Sequence, residues 1–313
     1  MNLGNISEVR PTRSTYAVSP LRPTQIRIAA AMFVQEEKII SMNDPTAKAS
    51  AARPGFTDPY STGILNKDMP SELVRLQALE RWADPMSMAL VRKFGIAPNA
   101  RCLEMGAGAG SMAYWLAQQC PKGRVIAADI DPRYLDAGRA PNLEVARVDL
   151  TEYDFPEASF DWIHTRLVLS HIPKRDDILR RAISWLKPGG AILVEDYYVL
   201  SSDHFPYEEL KAVFGTLART FVAQGSDIHW ARGVPSKLAR HGVHDLDVAL
   251  TPMSVGLPGP CEEVWRIGVE QFLPYMLEKQ TLTAEQVAAY RALSAPDAVD
   301  VPWVLFSVAG RKR

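Results

Sequence analysis

Between residues 100 and 196 the chain alternates short apolar runs with amphipathic stretches. The runs are "RCLEM" (101–105), "RVIAAD" (124–129), "LEVARVD" (143–149), "FDWIHT" (160–165) and "AILVED" (191–196). Near-continuous apolarity over five to seven residues is what a strand buried on both faces of a parallel sheet requires. The intervening stretches predict helices over 110–119, 132–138 and 175–186, the last closed by "KPGG" (187–190). Upstream, "SELVRLQALERW" (71–82) sets Leu73, Leu76 and Leu79 on one helical face behind a capping Ser71, and a second helix, about 86–94, ends at Gly95. Downstream, the pattern predicts helices over about 206–223, 232–241, 261–278 and 283–293, with strands "LDVALT" (246–251) and "WVLFSVAG" (303–310). Residues 1–68 lack this rhythm, apart from one stretch of helical character around 26–41. The expectation is an irregular leader over 1–68 and one α/β domain over 69–313, with lid insertions at about 197–245 and 253–300.

Composition narrows the function classes. Thirty-five basic against 36 acidic residues give a formal charge of −1, which supplies no field for nucleic acid or an anionic membrane. Cys102, Cys120 and Cys261 have neither metal-ligand spacing nor the even number of a disulfide framework, so the expectation is a reduced, cytoplasmic protein without a metal. The apolar run "IAAAMFV" (28–34) is too short to span a bilayer.

The chemistry concentrates at "CLEMGAGAGS" (102–111). A phosphate-binding P-loop needs a lysine after its glycines, and none follows. The dinucleotide fingerprint needs glycine at 111, which is serine. What remains is Glu104 followed by Gly106, Ala107, Gly108 and Gly110, a turn without side chains that lets a ligand approach the backbone. Acids close the strands around it. Asp129, 25 residues after Glu104, is placed to accept ribose hydroxyls, with Ile130 beside it to lie on a purine face. Asp149 is placed to accept from an exocyclic amine beside the apolar Leu150. In a doubly wound sheet all these strand ends open onto one crevice.

The order and spacing of "LEMGAGAGSMAYWLA", "VIAADIDPRYLDAGR", "ARVDL", "FDWIHTRLVLSHIP" and "LKPGGAILVEDYY" resemble the class I S-adenosylmethionine-dependent methyltransferases, small-molecule members above all. The resemblance covers roughly 70–200, and "LFSVAGRKR" resembles the family's reversed last strand. It implies a Rossmann-like sheet in the order 3-2-1-4-5-7-6 with only the last strand antiparallel, and S-adenosyl-L-methionine as cofactor. It further implies that Glu104 and the glycines hold the methionine part, with Thr165 and Arg166 beside the amino group. The segment 60–80 resembles the family's lead-in helix, which makes Tyr60 and Arg75 candidates for covering the cofactor.

The acceptor is less legible. The (D/N/S)-P-P-(Y/F) signature of amine methylation is absent, since strand four leads into "HTRL". Aromatic side chains at 197, 198, 205, 230, 265, 272 and 275 suit a sizeable apolar or aromatic small molecule, with O-methylation favoured. For the base, His204 is preferred over His171, and His164, inside a strand, is set aside. Two alternatives stay open: methylation of a peptide or protein, and a non-methylating, cofactor-binding regulator. The oligomeric state is left open.

Overall fold

A computed structural model describes residues 67–293 and 298–313, all within the unit Arg53–Arg313. The leader up to residue 66, with its stretch of helical character around 26–41 and Tyr60, lies outside the described residues. Seven strands form one sheet: β1 (Arg101–Met105), β2 (Arg124–Asp129), β3 (Leu143–Arg147), β4 (Phe160–Arg166), β5 (Leu186–Val199), β6 (Val243–Val255) and β7 (Asp300–Lys312). Their spatial order is β3-β2-β1-β4-β5-β7-β6. The first five run parallel, and β7 is antiparallel to both β5 and β6.

Seven α-helices are described: α1 (Glu72–Phe94), α2 (Ser111–Gln119), α3 (Arg175–Trp185), α4 (Glu208–Ala223), α5 (Val234–Arg240), α6 (Pro260–Glu278) and α7 (Ala284–Ala292). The strand period of two sorts the core into two layers. Leu103, Ile126, Ile163 and Ile192 face Ile178, Leu179 and Ile183 of α3 and Leu238 of α5. Their neighbours Cys102, Val125, Trp162 and Leu193 face Leu90 and Val91 of α1 and Met112 and Leu116 of α2. A third, aromatic cluster packs α4, α6 and α7 around Tyr197 of β5 and Trp303 of β7.

Local expectations needed correction in four places. The two predicted helices at 71–82 and 86–94 are one helix, α1, running through Pro85. A proline removes a single backbone bond, and buried Ala78, Leu79, Ala83, Ser87, Leu90 and Val91 on either side hold the axis together. Ser71 makes no side-chain capping bond to α1; its hydroxyl instead accepts from Gln271. The predicted helix 132–138 reduces to a single 3₁₀ turn, Ala137–Arg139, capped by Asp136, whose carboxylate accepts from the Gly138 amide. Strand β3 stops at Arg147, so Asp149 lies beyond it in a turn, accepting from the amide and hydroxyl of Thr151.

Charged groups are buried at the centre of the sheet. His164 on β4 has no solvent exposure. Its Nδ1 lies 2.8 Å from both carboxylate oxygens of Glu104 on β1, and its Nε2 lies 2.9 Å from Glu195 Oε2 on β5. Both ring nitrogens face carboxylate oxygens, which accept when ionised, so a doubly protonated ring satisfies both contacts. Burial by itself would lower the pKa of this imidazole, but the two carboxylates outweigh it and raise the value to about 9. Glu195 also accepts from Ser87 of α1 (2.5 Å) and Ser307 of β7 (2.6 Å). Arg166, two residues along β4, donates to Ser87 (2.9 Å) and Asp84 (2.7 Å) of α1. Four strands and the lead-in helix thus meet on one set of hydrogen bonds.

Two predictions follow from this packing. A group whose pKa is raised on folding stabilises most below its unfolded value, here 6.5, and that contribution vanishes as pH rises through about 9. Wild-type chain should therefore lose unfolding free energy between pH 6.5 and 9 more steeply than His164→Gln, which should itself be about 3–5 kcal/mol less stable at pH 7 for leaving buried carboxylates unpaired. Parallel slopes in denaturant titrations would exclude a buried imidazolium. The reversed strand is tested at Gly310, where an added Cβ would stand 2.5 Å from Val243 Cγ1 and 2.7 Å from Leu246 Cδ2. Gly310→Ala should cost about 1–3 kcal/mol, and an unchanged urea midpoint would contradict the seating of β7 against β6.

Candidate active site

The C-terminal ends of β1, β2 and β4, with the loop after β3, open onto one crevice roofed by α1, α4 and α6. Its nucleoside-like end is walled by Gly106, Gly108, Asp129, Ile130, Asp149 and Leu150. Its other end is walled by Tyr197, Phe221, Trp265, Phe272 and Trp303, with His171 among the lining residues.

The glycine turn has its shape for two different reasons. Gly106 and Gly108 have φ of +69° and +60°, a region costly for other residues. A Cβ on Gly106 would collide with Val168, so that glycine serves packing rather than ligand space. A Cβ on Gly108 would meet no atom closer than Leu76 Cδ2 at 3.9 Å and would enter the open crevice. Gly108 is therefore the position at which the backbone is bared to a ligand. The turn is anchored from above, because Glu80 and Asp84 of α1 accept from the amide and hydroxyl of Ser111, the first residue of α2.

Asp129 is 7% exposed and lines the crevice. Its Oδ2 accepts from the Gly108 amide (2.8 Å), and its Oδ1 accepts from the Asp131 amide (2.9 Å) and from the Lys67 ammonium (3.2 Å). Arg75 and Arg166 also line the crevice, each engaged by a carboxylate of α1: Glu72 for Arg75 and Asp84 for Arg166.

Other sequence candidates lie elsewhere. Glu104, expected to hold the methionine part, sits beneath the crevice wall with its carboxylate on His164. Thr165 is buried, and neither it, Ala107 nor Gly110 lines the crevice. Gly110 instead starts α2 in a left-handed conformation, φ +99°. His204, the preferred base, is exposed on a 3₁₀ turn (Ser202–His204) and does not line the crevice, because β5 carries the chain past its mouth before that turn. His171 does line it. Its Nδ1 lies 3.1 Å from Ser226 Oγ, and its ring packs 5.4 Å from both Tyr197 and Phe221. Burial, then the charges of Arg75 and Arg175, push its pKa down to about 3. Of the two candidate bases, His171 and not His204 lines the crevice.

Of the aromatic side chains singled out, Tyr197, Trp265 and Phe272 line the crevice, whereas Trp230 packs in the sheet core and donates to Asp176. Phe221 and Trp303 were missed, although both lay inside predicted elements. Alternation along 303–310 places Trp303 on the face of Leu305, and that signal was available. Lys67 was missed because nothing in the spacing of an irregular segment marks a lysine as buried.

Residues 102–190 match the model of a methyltransferase domain. The chain is 34% identical over 140 residues to methyltransferase str2 of Strobilurus tenacellus, covering 42% of this chain and 49% of that protein. It is 31% identical over 112 residues to the ubiquinone/menaquinone biosynthesis C-methyltransferase UbiE of Ectopseudomonas mendocina, covering 33% and 44%. The chain spans about half the length of these curated relatives. Among solved structures, phosphoethanolamine N-methyltransferase 2 of Haemonchus contortus, in complex with phosphomonomethylethanolamine and S-adenosylhomocysteine, superposes with a TM-score of 0.51 at 19% identity, covering 78% of this chain and 58% of that one. The matched segment, 102–190, holds the glycine turn and the acids Asp129 and Asp149, and with the seven-stranded sheet whose last strand is reversed it marks a class I S-adenosylmethionine-dependent methyltransferase domain.

Proposed function

We propose that the chain transfers a methyl group from S-adenosyl-L-methionine to a small, apolar or aromatic acceptor, through oxygen. The observation that carries this reading is the two-ended crevice, with hydrogen-bonding strand ends on one side and an aromatic chamber on the other. Gly108, Asp129, Ile130, Asp149 and Leu150 would hold the nucleoside, and the bared Gly108 backbone fits a ligand that lies flat against the turn. When bound, the cofactor supplies an electrophilic methyl on a sulfonium. The chain's contribution is alignment and dryness: charge disperses as the methyl moves, and apolar walls favour dispersed over localised charge.

His171 is the proton acceptor in this reading. Its low pKa leaves the ring neutral, with a lone pair available at physiological pH. It is also a weak base, which suits a hydroxyl oxygen that turns strongly acidic only as the new bond to carbon forms. That favours an aromatic hydroxyl, already mildly acidic, over an alkyl alcohol.

Residues 69–313 form the catalytic domain in this reading, with lids over about 197–245 and 253–300 and the leader outside it. In this reading the protein works in the cytoplasm, which fits three buried free cysteines, and serves specialised metabolism, as the resemblance implies. Among the described residues no helix is long and apolar enough to cross a membrane.

Methyl-labelled cofactor incubated with purified chain and separate pools of phenols and peptides tests the reading. Label should enter the phenol pool. Label confined to peptides would replace the small-molecule reading, and binding without transfer to either pool would point to a regulator. With an acceptor in hand, His171→Gln should lower turnover about tenfold or more at unchanged cofactor affinity, while His204→Ala leaves turnover intact. Wild-type turnover should stay flat down to about pH 5, since the ring protonates only near 3. A His171→Gln enzyme of full activity would remove the base from the mechanism.

A further inference from the structure

The lysine at Asp129 is the least expected contact in the molecule. Its side chain is 1% exposed, and buried lysines are rare unless they are paired. The ammonium has three N–H bonds and three acceptors: Asp129 Oδ1 at 3.2 Å, the Asp131 carbonyl at 2.5 Å and the Gly108 carbonyl at 3.4 Å. The ring of Tyr134 lies 5.3 Å below it, within cation–π reach. The main chain is pinned too, since the Lys67 carbonyl accepts from the Tyr134 hydroxyl (2.9 Å) and from Arg133 (3.3 Å). One side chain therefore ties together the segment ahead of α1, the glycine turn and the extension of β2.

Lys67 itself does not line the crevice, whereas Gly108 and Asp129 do. It stands behind the wall that the ligand would touch. A carboxylate offers about four lone-pair sites. Three are occupied on Asp129: two on Oδ1, by Lys67 and the Asp131 amide, and one on Oδ2, by the Gly108 amide. The carboxylate is thus clamped in one orientation before any ligand arrives, with its remaining acceptor capacity on Oδ2.

We infer that Lys67 is a positioning residue for the cofactor: it fixes the Asp129 carboxylate so that the ribose hydroxyls meet a preset acceptor. The inference rests on the proposed cofactor site and adds to it a residue from outside the sheet. Lys67 acts through Asp129, so its removal affects ligands in proportion to their use of that carboxylate. Methionine is the replacement of choice, because it is unbranched, only one atom shorter than lysine, and uncharged.

The test is calorimetric binding of S-adenosylhomocysteine, and of its 2′,3′-dideoxy analogue, to the full chain and its variants. Circular dichroism verifies folding, with Lys67→Gln as the second variant should Lys67→Met not fold. Lys67→Met should weaken S-adenosylhomocysteine about tenfold or more while changing the affinity for the dideoxy analogue by no more than about twofold. Asp129→Asn should weaken the natural ligand similarly, and the double variant should be little worse than either single one. A purely structural role would weaken both ligands alike or give additive losses, and either result overturns the inference. Unchanged binding also overturns it. Tighter binding does so too, by making the ammonium a competitor for the ribose acceptor. If the wild-type chain binds neither ligand, the cofactor site itself fails and the role of Lys67 fails with it.

Discussion

The site depends on the buried imidazole of His164 between two glutamates. Sequestering Glu104 and Glu195 in the centre of a sheet is costly, since each carboxylate loses its water. The cost is offset because the ring meets both at 2.8–2.9 Å, and Glu195 accepts in addition from Ser87 and Ser307. Arg166 and Asp84 extend the set to α1. The same contacts hold α1 over the glycine turn. Sheet, lead-in helix and ligand site are therefore one construction.

The two ends of the crevice obey different physics. At the end lined by Gly108, Asp129 and Asp149, backbone amides and carboxylates are oriented by one another, so little reorganisation is needed when a polar ligand binds. At the other end, Tyr197 stacks on Trp303 at 4.7 Å, and Trp265 meets Trp303 edge-on at 4.9 Å. Those rings hold shape by packing and exclude water. His171 touches this aromatic wall and has lost its charge to burial. The reversal of β7 makes the chamber possible, because it brings Trp303 alongside Val199 of β5.

Much of this was legible in the sequence because the signals were local. Apolar runs of fixed length gave the strands, and the glycine turn with Asp129 and Asp149 marked residues that do line one end of the crevice. The resemblance supplied the strand order, which no run of residues encodes. What escaped depended on distant partners. The polar residues of "FDWIHT" read as an ordinary strand, and only the placement of β4 between β1 and β5 reveals that His164 meets both Glu104 and Glu195. His204 and His171 differ little in sequence context, yet β5 carries one to the surface while the turn after β4 delivers the other to the crevice. Lys67 is buried by Asp131 and Tyr134, more than sixty residues away.

The central claim, a charged imidazole at the heart of the sheet, is open to direct observation. Nitrogen-15 NMR of histidine-labelled chain reports the protonation of each ring nitrogen separately. His164 should show both nitrogens protonated at pH 7 and should titrate only near pH 9, with His171→Gln and His204→Ala variants serving to assign the signals. A neutral His164 ring at pH 7, with one bare nitrogen, would contradict the account.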